Sequence, residues 1–218
     1  MQSVADLMGI ELARLAQLYS LSISSTVIEQ TCKHFSLLLK WNKKISLTGI
    51  TEPQAAARQL YFEAFYAAQL ILPGLSEAAD IGSGGGFPGL PVSLLHPEIL
   101  FTLIEADRRK AAFLSEVRRN LNLNNIQITN NRFENLTTHF SLVMVRALER
   151  FQAQMPRLFE FFSQSQQVLL FLTTSAIEDL KTSPQLQPSL SYWQLQTISL
   201  PESRERAVLS LLRKASFT

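Results

Sequence analysis

The residues of this 218-residue chain that could do chemistry fall in four short stretches. The first runs Glu77-Ala-Ala-Asp-Ile-Gly-Ser-Gly-Gly-Gly-Phe-Pro-Gly-Leu-Pro91. It is a short apolar strand with Asp80 near its end, then glycines at 82, 84, 85 and 86, then Pro88. Proline suits the first turn of a helix, where its missing N–H would be unpaired anyway. A strand that releases through glycines into a helix is how an α/β sheet builds a nucleotide site. Glycine reaches positive φ without strain and lets a ligand lie against bare peptide groups. The second stretch is Glu105, closing the apolar run Leu100–Ile104; a carboxylate there can accept both hydroxyls of a ribose. The third is Phe133-Glu134, placed to flank an adenine. The fourth is Arg146-Ala147, after Leu142–Val145, at the same edge of strand ends. No histidine, cysteine or carboxylate pair accompanies them as a general base.

Two ligands compete for the loop. Gly84, Gly86 and Gly89 spell GxGxxG, and Glu105 lies near the spacing of a ribose-binding acid, a pattern of NAD- or FAD-linked oxidoreductases. The register opposes it, because the first glycine after the strand is Gly82, and from there the third glycine position falls on Phe87. Asp80-Ile-Gly-Ser-Gly-Gly-Gly86 instead resembles motif I of the class I S-adenosylmethionine (SAM) methyltransferases. That resemblance implies SAM as cofactor, its amino-acid end cradled by loop N–H groups.

The hydrophobic pattern lays out the elements that would position these residues. Residues 3–20 read as an amphipathic helix with Val4, Leu7, Met8, Leu12, Leu15 and Leu18 near one face. Thr26 and Glu29 have the spacing of a capping box. They would open a second helix with the stripe Ile28, Cys32, Phe35 and Leu39, ending in Lys40-Trp-Asn-Lys-Lys44. Thr51 and Gln54 would cap a third, running to about Ile71 before Pro73-Gly74. Strands follow at 78–81, Leu100–Ile104, Ile126–Thr129, Leu142–Val145 and Val168–Leu172. One helix carries Ala112, Phe113, Val117 and Leu121, and another covers 151–163. Tyr192–Leu200 and Ala207–Arg213 are consecutive strands too close for a parallel crossover, so they must be antiparallel. Residues 182–191 read as a loop. The expectation is an α/β fold with a seven-stranded, mostly parallel sheet ending in an antiparallel hairpin. Residues 1–75 would be a helical extension and 76–218 a SAM-binding domain.

Composition narrows the classes. At 46% apolar and 17% charged the chain can bury a sizeable core. The single cysteine, Cys32, excludes an intrachain disulfide and fits a reducing cytoplasm; on an apolar stripe it reads as a small core residue. Three scattered histidines have no metal-ligand spacing, so no metal is expected. No apolar run approaches a membrane span and no signal peptide is expected. A net charge of +2 does not by itself indicate nucleic acid. Its distribution is more telling: Lys40, Lys43 and Lys44 cluster, as do Arg108, Arg109 and Lys110, offering candidate phosphate contacts.

Taken together, Lys40-Trp-Asn-Lys-Lys-Ile-Ser-Leu-Thr48, the glycine stretch to Pro91, Glu105 to Leu114 and Val145-Arg-Ala147 resemble one family. It is that of the bacterial small-subunit rRNA (guanine-N7) methyltransferases, RsmG or GidB. The resemblance covers nearly the whole chain and implies SAM as donor and a guanine in the decoding-region loop of 16S rRNA as acceptor. The partner would be 16S rRNA or the small ribosomal subunit, and the enzyme a cytoplasmic monomer. By motif, the SAM contacts fall on Gly82, Gly84, Phe87, Glu105, Ala106, Asp107, Phe133, Glu134 and Arg146, with Arg146 also the candidate for positioning the acceptor. The lack of a base fits guanine N7, whose in-plane lone pair carries no proton. Some positions depart from the family: Leu60, Glu63 and Ala64 stand for His, Asp and Ser, Ser46 for an Asn, and Thr173-Thr174 for Lys-Gly. These departures keep open a SAM-holding rRNA-binding paralogue with little activity.

Overall fold

The computed structural model describes residues 3–147 and 151–214. Three helical stretches come first: α1 (Val4–Leu18), α2 (Ser25–Asn42), then α3 (Pro53–Ala56), a π-helical segment (Ala57–Phe62) and α4 (Glu63–Ala68) in succession. The alternating part is β1 (Glu77–Ile81), α5 (Gly89–Leu95), β2 (Leu100–Ile104), α6 (Arg108–Asn120), β3 (Ile126–Thr129), β4 (Leu142–Arg146), α7 (Phe151–Phe161), β5 (Gln167–Thr173) and α8 (Thr174–Thr182). The short helix α9 (Gln187–Leu190) and the strands β6 (Trp193–Ser199) and β7 (Arg206–Arg213) complete it.

The seven strands lie in the order β3-β2-β1-β4-β5-β7-β6. The first five are mutually parallel, while β7 runs antiparallel between β5 and β6. This is the expected sheet, and β7's direction is not what a second mononucleotide half would supply. The central strands are buried on both faces, and their residues alternate between two cores. Ala78, Phe101, Leu103, Met144 and Leu169 pack beneath the N-terminal helices, with Met8, Leu12, Phe35 and Phe65. Ala79, Ile81, Val143, Val145 and Leu170 face the other way, toward Leu158, Phe162, Ile177 and Leu190.

Several local readings change. Ser24, not Thr26, caps α2, its Oγ accepting from the Val27 N–H at 3.3 Å. Its buried face is Val27, Thr31, His34, Phe35 and Leu38, leaving Cys32 half-buried. The third helix is capped by Glu52, whose carboxylate accepts from the Gln54 and Ala55 N–H groups with Pro53 in the first turn; a full charge there complements the helix dipole better than the Thr51 hydroxyl. Ala111 rather than Ala112 faces the core from α6. Helix α8 falls where the sequence suggested nothing regular, and α9 inside the stretch read as a loop. Thr173 caps α8, and Ile177 and Leu180 pack it onto the sheet.

Candidate active site

The carboxyl ends of β1, β2, β4 and β5 open onto a cleft of about 1280 Å³. It lies where the strand order reverses between β1 and β4, the position at which open α/β sheets bind ligands. Gly82, Gly84, Phe87, Glu105, Ala106, Asp107, Phe133, Glu134 and Arg146 all line it. The sheet therefore gathers every residue assigned to the cofactor from four separate stretches.

The glycine loop needs its glycines at defined places. Gly82, Gly84 and Gly86 have φ of 71°, 55° and 93°. At Gly89 an added Cβ would lie 2.7 Å from the Asp80 Cβ and 2.6 Å from a Leu103 methyl, so only glycine lets α5 sit this close to the sheet. Most of the loop amides expected to cradle a ligand have partners within the chain, that of Gly85 being the exception among the described residues. Those of Gly82 and Ser83 donate to the Ile104 carbonyl at 2.9 and 3.2 Å, and those of Gly86 and Phe87 to the Ser83 carbonyl. The Gly84 N–H donates to Glu105 Oε2 at 2.8 Å. What the loop offers the cleft is side-chain-free backbone surface, with the Gly85 N–H unpaired among the described residues.

Glu105 is buried, and its second oxygen accepts from the Asp107 N–H at 2.8 Å. Each carboxylate oxygen keeps a lone pair for a further donor. Asp107 caps α6, accepting from the Arg109 and Lys110 N–H groups, which holds its carboxyl below the usual range. Asp80 lies behind the loop, fully buried; Oδ2 accepts from the Gly89 N–H at 2.9 Å and Oδ1 has no partner among the described residues. Burial pushes it up to about 7. Phe133 is buried, while Glu134 is exposed and 3.7 Å from Arg157.

Beneath the loop lies a histidine that spacing alone left without a role. His34 is fully buried in contact with the rings of Tyr61, Phe87 and Phe113, its Nδ1 2.9 Å from the Tyr61 hydroxyl. Burial lowers it to about 3, so the ring is neutral. It ties the N-terminal helices to the glycine loop. Asn42 does the same for the opposite rim: its Oδ1 accepts from the Leu47 and Thr48 N–H groups and its Nδ2 donates to the Thr48 carbonyl, folding residues 47–50 against the cleft.

The charged wall was the least legible part. Arg146 Nη2 donates to the Gln59 carbonyl at 2.6 Å and to Glu63 Oε2 at 3.3 Å, and the guanidinium stands over the Phe171 ring. Its Nη1 is buried without a partner among the described residues. The other oxygen of Glu63 accepts from Arg206, which also lines the cleft. Burial pushes the Glu63 carboxyl up to about 7, against the pull of both arginines. Arg206 carried no signal in the sequence. It reaches the site because β7 is antiparallel, so its first residue pairs with Thr173 at the end of β5.

The basic candidates Lys40, Lys43, Lys44, Arg108 and Arg109 are exposed and outside the cleft. Lys110, Arg132, Arg146 and Arg206 are the cations that line it. The two clusters nonetheless adjoin its rim, since Lys43-Lys44 lead into residues 47–50 and Arg108-Arg109 precede Lys110. Among the described residues no three His, Cys, Asp or Glu side chains form a possible metal site, and no helix is long and apolar enough to cross a membrane.

Comparison with known proteins places this geometry. Residues 27–208 match the family described as GidB, rRNA small subunit methyltransferase G. A ribosomal RNA small subunit methyltransferase G of Streptococcus pneumoniae is 31% identical over 173 residues, covering 74% of this chain and 71% of that one. One from Roseiflexus castenholzii is 36% identical over 124 residues, 57% of this chain. The chain spans 53% of that relative's length and 59% of one from Nitrosospira multiformis. Among solved structures, a dimethyladenosine transferase from Plasmodium falciparum superposes with a TM-score of 0.53 over 70% of this chain and 60% of that one, at 14% identity. A precorrin-6y C5,15-methyltransferase from Geobacter metallireducens gives 0.51 over 78% and 91%, at 10% identity. These two bear on the fold alone.

Proposed function

The chain belongs to the rRNA small subunit methyltransferase G (GidB) family, and from that premise we propose that it methylates N7 of a guanine in 16S ribosomal RNA, with SAM as donor. The observation that carries this reading is the order of groups along one sheet edge: Glu105 on β2, the glycine loop on β1, Arg146 on β4 and Arg206 beside the end of β5. A ribose would hydrogen-bond to the spare lone pairs of Glu105, and an adenine would lie against Phe133 and Ala106-Asp107, which line the same cleft. The guanidiniums of Arg146 and Arg206, residues that line the cleft, suit a carboxylate or a base carbonyl.

When bound, SAM supplies a methyl group made electrophilic by its sulfonium. The protein's task is then orientation. Guanine N7 has no proton to remove, so a site without a general base is competent, and holding the reacting atoms in line supplies about 7–11 kcal/mol. Arg146 or Arg206 would donate to guanine O6 and leave the N7 lone pair free, unlike the paired O6/N7 contact arginine makes in duplex DNA. Lys40, Lys43, Lys44, Arg108 and Arg109 would hold phosphates of the RNA around the rim, with small subunits in the cytoplasm as substrate and a monomer as the working form.

Mass mapping of small-subunit rRNA methylated by the purified protein tests the reading. A methyl on guanine N7 is the expected result. Binding of SAM without transfer to RNA, or a methyl on another atom, would overturn it. A melting shift with NADH and none with SAM would return the loop to nicotinamide chemistry.

A further inference from the structure

The buried Glu63 has no place in the reaction as described, yet it organises one wall of the cleft. It stands directly after the π-helical segment Ala57–Phe62, within which hydrogen bonding is displaced by one residue, the Glu63 N–H reaching back to the Arg58 carbonyl. Such segments are rare and concentrate at functional sites, because they free backbone groups that a regular helix would use. Here the Gln59 carbonyl, on the same segment, receives Arg146 Nη2. The side chain of Glu63 is only 2% exposed, and each of its oxygens holds one arginine: Arg146 from the end of β4 and Arg206 from the start of β7.

Those two guanidiniums repel one another, and the proximity of Arg206 opposes the charge on Arg146. Only the carboxylate between them makes the arrangement favourable. Gln59 and Glu63 together engage Nη2 of Arg146, and its Nη1 is buried without a partner among the described residues. Nε and Nη1 of Arg206 likewise have no partner among the described residues. We infer that Glu63 is a positioning residue: it clamps Arg146 and Arg206 side by side and thereby fixes both guanidiniums where these residues line the cleft. The inference rests on the methyltransferase reading above and adds to it the group that sets the arginines.

A clamp of this kind works only while Glu63 is ionised. The charged groups facing it are Arg146 and Arg206, with Asp80 behind Arg146, and burial has brought the Glu63 carboxyl up to about 7. Protonation below neutral pH would remove the charge between the arginines and release them.

The test uses the 218-residue chain and its Glu63→Gln and Glu63→Asp variants. Glutamine keeps the size but turns an NH₂ group toward one guanidinium, donor against donor; aspartate keeps the charge. Calorimetry with S-adenosylhomocysteine and single-turnover methyl transfer to small subunits are read at pH 8 and pH 6, with thermal melting as the check on folding. Glu63→Gln should bind about fivefold or more weakly and transfer about tenfold or more slowly at pH 8, the size expected for a lost charge-assisted contact. Glu63→Asp should recover most of the affinity. The wild type should weaken from pH 8 to pH 6 more than Glu63→Gln does, since Asp80 is common to both. A Glu63→Gln protein that melts lower but binds and transfers like the wild type, with the same pH profile, would reduce Glu63 to a structural residue. A wild type that binds S-adenosylhomocysteine but transfers no methyl would overturn the functional reading, and the calorimetric comparison would still decide on the clamp.

Discussion

Two buried glutamates, Glu105 lining the cleft and Glu63 behind the arginines that line it, are held in opposite ways. Glu105 receives two peptide N–H groups, from Gly84 and Asp107, and so joins the glycine loop to the start of α6. Glu63 receives two guanidiniums from distant strands and no described backbone donor. A carboxylate fixed by peptide groups keeps its geometry whatever charges surround it, because the donors are part of the chain. A carboxylate fixed by side-chain charges is as good as those charges are buried and balanced. The glycine-loop side of the cleft is therefore built as a rigid cradle and the β4–β7 side as a charge-balanced wall.

Removing each carboxylate should separate the two designs most sharply in stability. Glu63→Ala leaves the nearly buried Arg146 with only the Gln59 carbonyl, and breaking a buried ion pair costs about 3–5 kcal/mol. Arg206 keeps about a third of its side chain in water, so the lower end, about 3 kcal/mol, is expected in urea unfolding. Glu105→Ala should cost about 1–2 kcal/mol, two backbone donors being left to find water. Equal losses would erase the distinction.

Ligand affinity should invert the order of importance on the cradle side. Glu105→Ala should weaken SAM by about 1.5–3 kcal/mol, ten- to a hundredfold by calorimetry. Glu105→Gln should fall between, since the amide offers one acceptor oxygen instead of two. An unchanged affinity in the folded Ala variant would remove Glu105 from the ribose site.

A pH comparison tests the burial of charge. Asp80 and Glu63 both stand at about 7, above the unfolded carboxyl range. Their contribution to stability is fully present below the unfolded values near pH 4 and is lost as pH rises through 7. His34, lowered to about 3, works the other way, adding stability as pH rises through about 6.5 and little further beyond about 7.5. From pH 6.5 to 8 the two carboxyls outweigh it, and unfolding free energy should fall by roughly 1 kcal/mol. Asp80→Asn should remove about half of that slope; a slope that is absent or reversed in the wild type would show both acids to be ionised already.

The smallest effect concerns the rim. Replacing Lys43 or Arg109 with glutamine should lower the log–log salt slope of RNA binding by ~0.7–0.9 and leave SAM affinity unchanged. An RNA affinity insensitive to salt would make these clusters ordinary solvated faces.

Some of this was legible from residue order alone. The glycine loop, Glu105 and Arg146 each sit at the end of a short apolar run. In a parallel sheet every strand end comes to the same edge, so linear position became spatial position. The antiparallel hairpin followed from the length of a connection. Local capping was misread at Thr26 and Thr51 because several polar residues near each helix start could serve and packing chose among them. Of the charged wall, only Arg146 was written in the pattern. Arg206 joins the site through the reversed direction of β7, Glu63 through a one-residue widening of its helix, and His34 through burial against three aromatic rings. Each depends on which distant surface a residue meets, and periodicity carries no information about that. The chain's order thus determined the cradle, whose groups are backbone and strand ends. Only tertiary packing decided the clamp, whose charges come from elements 60 to 143 residues apart and are held in place by one another's burial.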